Sequence, residues 1–207
     1  MSSKGRKSKS ETRKTARFKK RNDGAEPKHY HLPFMAKNLL ARLAGGDRRS
    51  LGRANEVAAG VSRNPRLFAA LIAGLWSADP LVRMRAADAV EKVTRTKRGR
   101  LEPYKKELLG LMAEASQQEV RWHLALMIPR LTLNAKEREN AVSLFYAYLE
   151  DRGSLVRTHA LQGLADLAEN DASIRPAVRE LLRESARSGT AAMKARSRKL
   201  LARLDRL

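Results

Sequence analysis

Apolar residues recur along this chain at helical spacing, and the same pattern returns about every 37 residues. Four apolar anchor positions are each followed by apolar residues eight and eleven positions later, a spacing that places the side chains on one face of an α-helix. The pattern predicts four amphipathic helices. Their anchors are Val82, Val120, Val156 and Met193, at spacings of 38, 36 and 37 residues.

A second apolar group precedes each of these helices, with its central leucine 11 or 12 residues before the anchor. Turn-forming residues such as Asp79, Pro80 and Gly153 separate the two groups, so the repeating unit is predicted to be helix, short turn, helix. One such hairpin cannot cover its own apolar face, and neighbouring hairpins must therefore stack. The sequence predicts an all-α solenoid of about four to five hairpins.

The chain divides into three parts by composition. Residues 1–26 are rich in Lys, Arg, Ser and Thr with Phe18 as the single large apolar residue, which predicts a disordered basic tail. Residues 27–46 are expected to form a linker and an N-terminal capping helix that begins near Phe34 and ends at Gly45 and Gly46. Residues 47–207 are predicted to form the repeat domain, with a degenerate earlier hairpin whose second helix runs from Leu51 to Val61.

The second helices carry the signature of a known repeat. The run Asp79-Pro80-Leu81-Val82-Arg83, followed by Ala86-Ala87, resembles the HEAT repeat, and so does the run from Glu119 to Ala125. The resemblance covers roughly residues 47–205. It implies a right-handed, armadillo-like α-solenoid whose second helices line a concave groove.

The resemblance also implies a structural ladder of basic residues, one place after each anchor. In such a ladder the side chain bonds an acidic group in a turn of its own or of the adjoining repeat, for which Asp79, Glu119 and Asp151 are available. The ladder residues here are Arg83, Arg121, Arg157 and Lys194.

Residues near the edge of each apolar stripe are the candidates for binding. If the second helices line the groove, basic and aromatic side chains at these positions form a track that could follow a phosphate backbone; the alternative is ordinary solvated charge. Trp122 could equally pack between repeats, and two histidines do not make a metal site. The groove candidates are Arg85, Lys92, Trp122, His123, Arg130, His159, Arg196, Lys199 and Arg203.

The net charge of +21 changes this picture, because a protein this basic is attracted to polyanions. Residues 1–22 hold ten Lys or Arg against a single acid, Glu11. The chain has no cysteine, which excludes disulfides and thiolate chemistry, and no apolar run long enough to span a membrane. We therefore expect a cytoplasmic protein; the sequence does not determine its oligomeric state, and a monomer is favoured.

No catalytic motif is present: the sequence lacks a phosphate-binding glycine loop, a dinucleotide-binding pattern and a nucleophile elbow. The sequence predicts a non-catalytic binding or scaffold module, with no cofactor and no metal. Its partner is expected to be an acidic protein segment or a nucleic acid, and RNA binding through residues 1–22 alone is a further possibility.

An alternative comes from a more distant resemblance. The chain is similar in size and basicity to the HEAT-like alkylpurine DNA glycosylases, a DNA-repair class with a tryptophan in a basic groove. That class implies a carboxylate beside the aromatic residue, but the residue one turn after Trp122 is Leu126, and Asp88 and Asp166 have no adjacent aromatic. The alternative is therefore a DNA-binding protein related to this class without its catalytic arrangement.

Overall fold

All regular structure in the described part of the chain is helical, as the apolar pattern predicts. The computed structural model describes residues 34–47 and 49–207, so the predicted disordered tail and most of the predicted linker lie outside the described residues. No strand occurs within the described ranges, and none of their helices is long and apolar enough to cross a membrane.

The α-helices in the described ranges follow one another with short connections. They are α1 Phe34–Ala41, α2 Ala54–Arg63, α3 Phe68–Ala73, α4 Pro80–Thr94, α5 Lys105–Glu114, α6 Gln118–Met127, α7 Ala135–Leu149, α8 Ser154–Asn170, α9 Arg175–Ser188 and α10 Ala191–Leu204. Short 3₁₀ turns occupy Pro65–Leu67, Gly74–Trp76, Arg98–Tyr104 and Ile128–Arg130.

Polar capping residues start several of these helices where the sequence places its turns. The side chain of Asp79 accepts a hydrogen bond from the backbone N–H of Leu81 at 2.8 Å, at the start of α4. Asn134 and Glu137 form a reciprocal capping box at the start of α7. These contacts satisfy N–H groups that have no partner within the first turn of a helix, and they fix where each helix begins.

Second helices that follow one another in the series pack together. The contacts run from α2 to α4, from α4 to α6, from α6 to α8 and from α8 to α10. The first helices α3, α5, α7 and α9 pack on the second helix of their own hairpin, and α1 packs on α3. All four anchors are buried, so the apolar stripes form the core between the two sets of helices.

Proline makes α6 shorter than the second helices α4 and α8. The periodic pattern continues past Ile128 to Leu131, but Pro129 lacks an N–H and its ring obstructs a continuing helix. As a result α6 ends at Met127 and the chain turns through Ile128–Arg130, whereas α8 continues over 17 residues. The second half of α8 therefore lies beside a 3₁₀ turn.

Candidate functional site

Arg85, a predicted groove residue, is a buried structural side chain. Its exposed fraction is 2 %, and its guanidinium group donates to the carbonyls of Leu43 at 2.8 Å, Gly45 at 2.6 Å, Asp47 at 3.0 Å and Ser50 at 3.1 Å. These carbonyls belong to the segment between α1 and α2. Arg85 therefore fixes this segment against α4, and the expectation that it lines an accessible groove is wrong.

His123 is likewise buried and belongs to a polar contact between helices. Its ring Nδ1 lies 2.5 Å from the carbonyl oxygen of Glu119, and its Nε2 lies 3.6 Å from Oδ1 of Asp88 on α4. With an exposed fraction of 1 %, His123 cannot contact a partner across an open groove, contrary to the sequence-based expectation.

Lys92 connects α4 to α2 on the same face. Its Nζ donates to Oδ2 of Asp88 at 2.6 Å and to Oδ1 of Asn55 at 2.6 Å. Burial by itself would raise the pKa of the Asp88 carboxyl, but its interactions with His123 and Lys92 outweigh burial and hold that pKa below its usual value. Asp88 is thus kept charged as part of the framework of the protein.

Trp122 packs between two neighbouring hairpins. Its ring stacks on that of His123 with the centroids 3.5 Å apart, and it lies 5.2 Å from the ring of His159 on α8. The side chain is half-buried and contacts the core. These contacts favour the packing interpretation of Trp122 over an exposed stacking platform.

His159 occupies the corresponding position on α8, with Nδ1 2.8 Å from the carbonyl oxygen of Leu155. Burial lowers the pKa of the imidazole, the Leu155 hydrogen bond raises it, and the charges of Arg196 and His123 lower it further. The net pKa of His159 therefore lies below its usual value of 6.5, which keeps the ring neutral in the folded protein.

We expect the free energy of unfolding to decrease as the pH falls from about 6.5 toward the lowered pKa of folded His159. In that pH interval the imidazole of His159 binds a proton in the unfolded chain but stays unprotonated in the folded protein. In His159→Asn, whose amide can still donate to the Leu155 carbonyl, this decrease should be smaller. Urea unfolding at about pH 7.5 and about pH 5.5 measures the difference. An unchanged pH dependence in the variant would contradict this role.

Arg130 links the end of α6 to α4. One guanidinium nitrogen donates to the backbone carbonyl of Glu91 at 2.9 Å and to Oγ1 of Thr94 at 2.9 Å, and the other pairs with the Glu91 carboxylate. Arg95 pairs with the same carboxylate at 2.7 Å. Burial alone would raise the pKa of Glu91, but the two arginines outweigh it, and that pKa lies below its usual value.

Two arginines link α10 to α8 in the same manner. Arg196 donates to Oε1 of Gln162 at 2.8 Å, and Arg203 contacts the carboxylates of Asp166 at 2.6 Å and Glu169 at 2.5 Å. Lys199, the remaining predicted groove residue on α10, is exposed. These two guanidinium groups are held in place by side chains of α8.

A cleft of about 340 Å³ opens between the end of α6 and the second half of α8. Leu126 and Pro129 lie on one side, and α8 supplies polar side chains on the other. The cationic side chains at the cleft come from three separate places in the chain. They are Arg95 and Arg98 after α4, Arg130 after α6 and Arg203 on α10.

Arg95 and Arg98 are site residues that the sequence interpretation missed. They lie beyond the last residue of α4, and therefore outside the repeated helix positions at which groove residues were expected. The dense charge of the run Arg95-Thr96-Lys97-Arg98 was the available signal. In the folded protein they line the same cleft as the end of α6 and the second half of α8.

The predicted ladder residues differ in their contacts. Arg83 donates to the carbonyl of Ser77 at 2.7 Å and to Oε1 of Gln117 at 2.9 Å, so an amide stands where an acid was expected. Arg121 donates to the carbonyl of Ala115 at 2.7 Å and pairs with Asp151 in the next turn. The Nε of Arg157 is buried without a hydrogen-bond partner among the described residues.

The fold and the cleft define an all-helical protein of successive helical hairpins with an arginine-lined cleft on the side of the second helices. No protein-family model matches the chain, and no curated protein is significantly similar to it. The resemblance to HEAT repeats therefore rests on the residues of this chain alone.

Proposed function

We propose that this chain is a HEAT-like α-solenoid that binds a polyanion and catalyses no reaction. The observation that carries the proposal is the cleft between α6 and α8, where Arg95, Arg98, Arg130 and Arg203 meet from three separate parts of the chain. Solenoids of stacked hairpins commonly bind partners on the face formed by successive second helices. The partner is an acidic protein segment or a nucleic acid.

The electrostatics of the protein support an anionic partner. Its net charge of +21 produces a long-range field that attracts polyanions and accelerates their association. At the cleft, Arg130 and Arg203 are oriented by carboxylates of the protein, so binding an anion would not require them to lose much conformational freedom. Arg98 and Lys199 are exposed and extend the positive surface.

The contacts at the cleft favour binding over glycosylase chemistry. Asp166 and Glu169, the carboxylates at the cleft, are ion-paired with Arg203, and no aromatic side chain of the described residues lines the cleft. Asp88 is buried and bonded to Lys92. We therefore propose no base-excision activity, although DNA as the bound polyanion remains compatible with this arrangement.

Binding to polyanions over a series of salt concentrations tests the proposal. The full-length protein should bind a DNA oligonucleotide, a polyglutamate peptide or both. The logarithm of the binding constant should fall linearly as the logarithm of the salt concentration rises. A variant in which the ten Lys and Arg residues of positions 1–22 are changed to Gln should bind more weakly but measurably. Loss of all binding in that variant would show that the helical part is not the binding surface.

A further inference from the structure

The cleft between α6 and α8 differs from the other junctions between second helices. Lys92 joins α4 to α2, Arg130 joins the end of α6 to α4, and Arg196 and Arg203 join α10 to α8, each by a polar side-chain contact. At the α6–α8 junction Pro129 ends α6 early, and the space beside α8 is open. We propose that this cleft binds a phosphodiester group of a nucleic-acid backbone, an inference that rests on the proposed function.

The two arginines after α4 have donor groups available for such a phosphate. Arg95 uses Nε and one terminal nitrogen, Nη2, to pair with Glu91, while Nη1 has no described contact. The side chain of Arg98 is exposed and forms no hydrogen bond or ion pair within the described part of the chain. A guanidinium group presents paired N–H donors that match two phosphate oxygens, so these side chains can bind a phosphate bidentately.

Cationic side chains continue beyond the cleft along α10. Lys199 and Arg203 are four residues apart, a spacing that places them on one face of that helix, and Arg206 follows two residues after its end. Arg203 lines the cleft itself, as Arg98 does on the α4 side, and Lys97 is adjacent to Arg98 in the sequence. A partner with a regularly repeated negative charge, such as a nucleic-acid backbone, can contact several of these cations in succession.

The scarcity of apolar surface at the cleft favours nucleic acid over an acidic peptide. Peptide partners usually depend on aromatic or aliphatic anchors that fill apolar pockets, but Leu126 and Pro129 are the only apolar residues lining this cleft. The large apolar side chains exposed in the described ranges lie outside it, at Leu51, Tyr146, Leu155 and Leu207. Binding to phosphate needs no such pocket, because its affinity is mainly electrostatic.

The experiment compares two double variants of the full-length protein for binding to a fluorescent DNA oligonucleotide across a salt series. Arg95→Gln with Arg98→Gln removes two cations from the cleft. Arg63→Gln with Arg66→Gln removes two cations that are also exposed but lie outside the cleft, and is the matched control. Because the N-terminal tail is unchanged in both variants, its contribution cancels in the comparison. Circular dichroism melting checks that both variants fold like the wild type.

We expect the cleft variant to bind DNA about tenfold or more weakly at low salt and to reduce the salt slope by about one for each arginine removed. The control should lose less affinity and keep a slope near that of the wild type. Equal losses in the two variants would overturn the phosphate site and leave the proposed function intact. Binding of polyglutamate of equal charge without binding of DNA would also overturn the phosphate site and leave the proposed function intact. Binding of neither polyanion would overturn the phosphate site and the proposed function together.

Discussion

Replacing Arg85 with Ala is expected to lower the free energy of unfolding by about 3 kcal/mol or more. The guanidinium group supplies the hydrogen bonds for four backbone carbonyls between Leu43 and Ser50, two of them at 2.8 Å or less. Its removal leaves buried acceptors without donors and opens a cavity between α4 and the segment before α2. Urea unfolding followed by circular dichroism measures the change.

Two further variants distinguish the hydrogen bonds of the Arg85 side chain from a general effect of its charge. Arg66→Ala removes an exposed arginine with no side-chain contact in the described ranges, so it should change the free energy of unfolding by less than about 0.5 kcal/mol. Arg85→Lys keeps the charge but replaces five donors by three on a compact ammonium group, and its stability should fall between wild type and Arg85→Ala. Wild-type stability in Arg85→Ala would refute the structural role.

Gly163→Ala is expected to destabilise the protein by about 2 kcal/mol, because α8 approaches its neighbours closely at this residue. A Cβ atom at Gly163 would lie 2.5 Å from Cζ of Phe145 on α7 and 2.9 Å from the carbonyl oxygen of Ala125 on α6. Phe145 is fully buried, so its ring has little room to move, and the carbonyl belongs to the backbone. Three helices would have to shift.

Gly110→Ala is the matched control for this substitution. Gly110 lies within α5, and a Cβ there would meet no atom within 4 Å. Alanine restricts the unfolded chain and favours the helix, so this change should stabilise the protein by about 0.5 to 1 kcal/mol. The two substitutions add the same methyl group to helical glycines, and opposite shifts in the urea midpoint are expected. A shift of the same sign in both would contradict the close packing inferred at Gly163.

Local periodicity in the sequence determined the helices and their apolar faces. The anchors Val82, Val120, Val156 and Met193 are all buried, and the turns marked by Asp79-Pro80 and Gly153 precede α4 and α8. This information is available without a structure because helix geometry relates residues that are close in sequence. The charge of the protein was equally evident from its composition.

The environment of each polar side chain was decided only by tertiary structure. A helical wheel places Arg85 and His123 at the edge of a stripe, but α4 and α6 each have a second helix on both sides, and that edge faces a junction between helices. Arg85 consequently meets the carbonyls before α2, and His123 meets Asp88. The periodicity of one helix carries no information about which groups of another helix lie opposite.

The cleft depended on the structure for the same reason. The sequence contains Pro129, Arg95 and Arg98, but it does not show that they meet at one cleft. That follows from the early end of α6 beside the longer α8 and from packing that brings Arg95 and Arg98 to the same cleft. The sequence by itself thus determined the repeated helices and the attraction to anions. Packing between hairpins decided which cationic side chains bond to other parts of the protein and which face an open cleft. Contacts between distant segments arise only in the assembled fold.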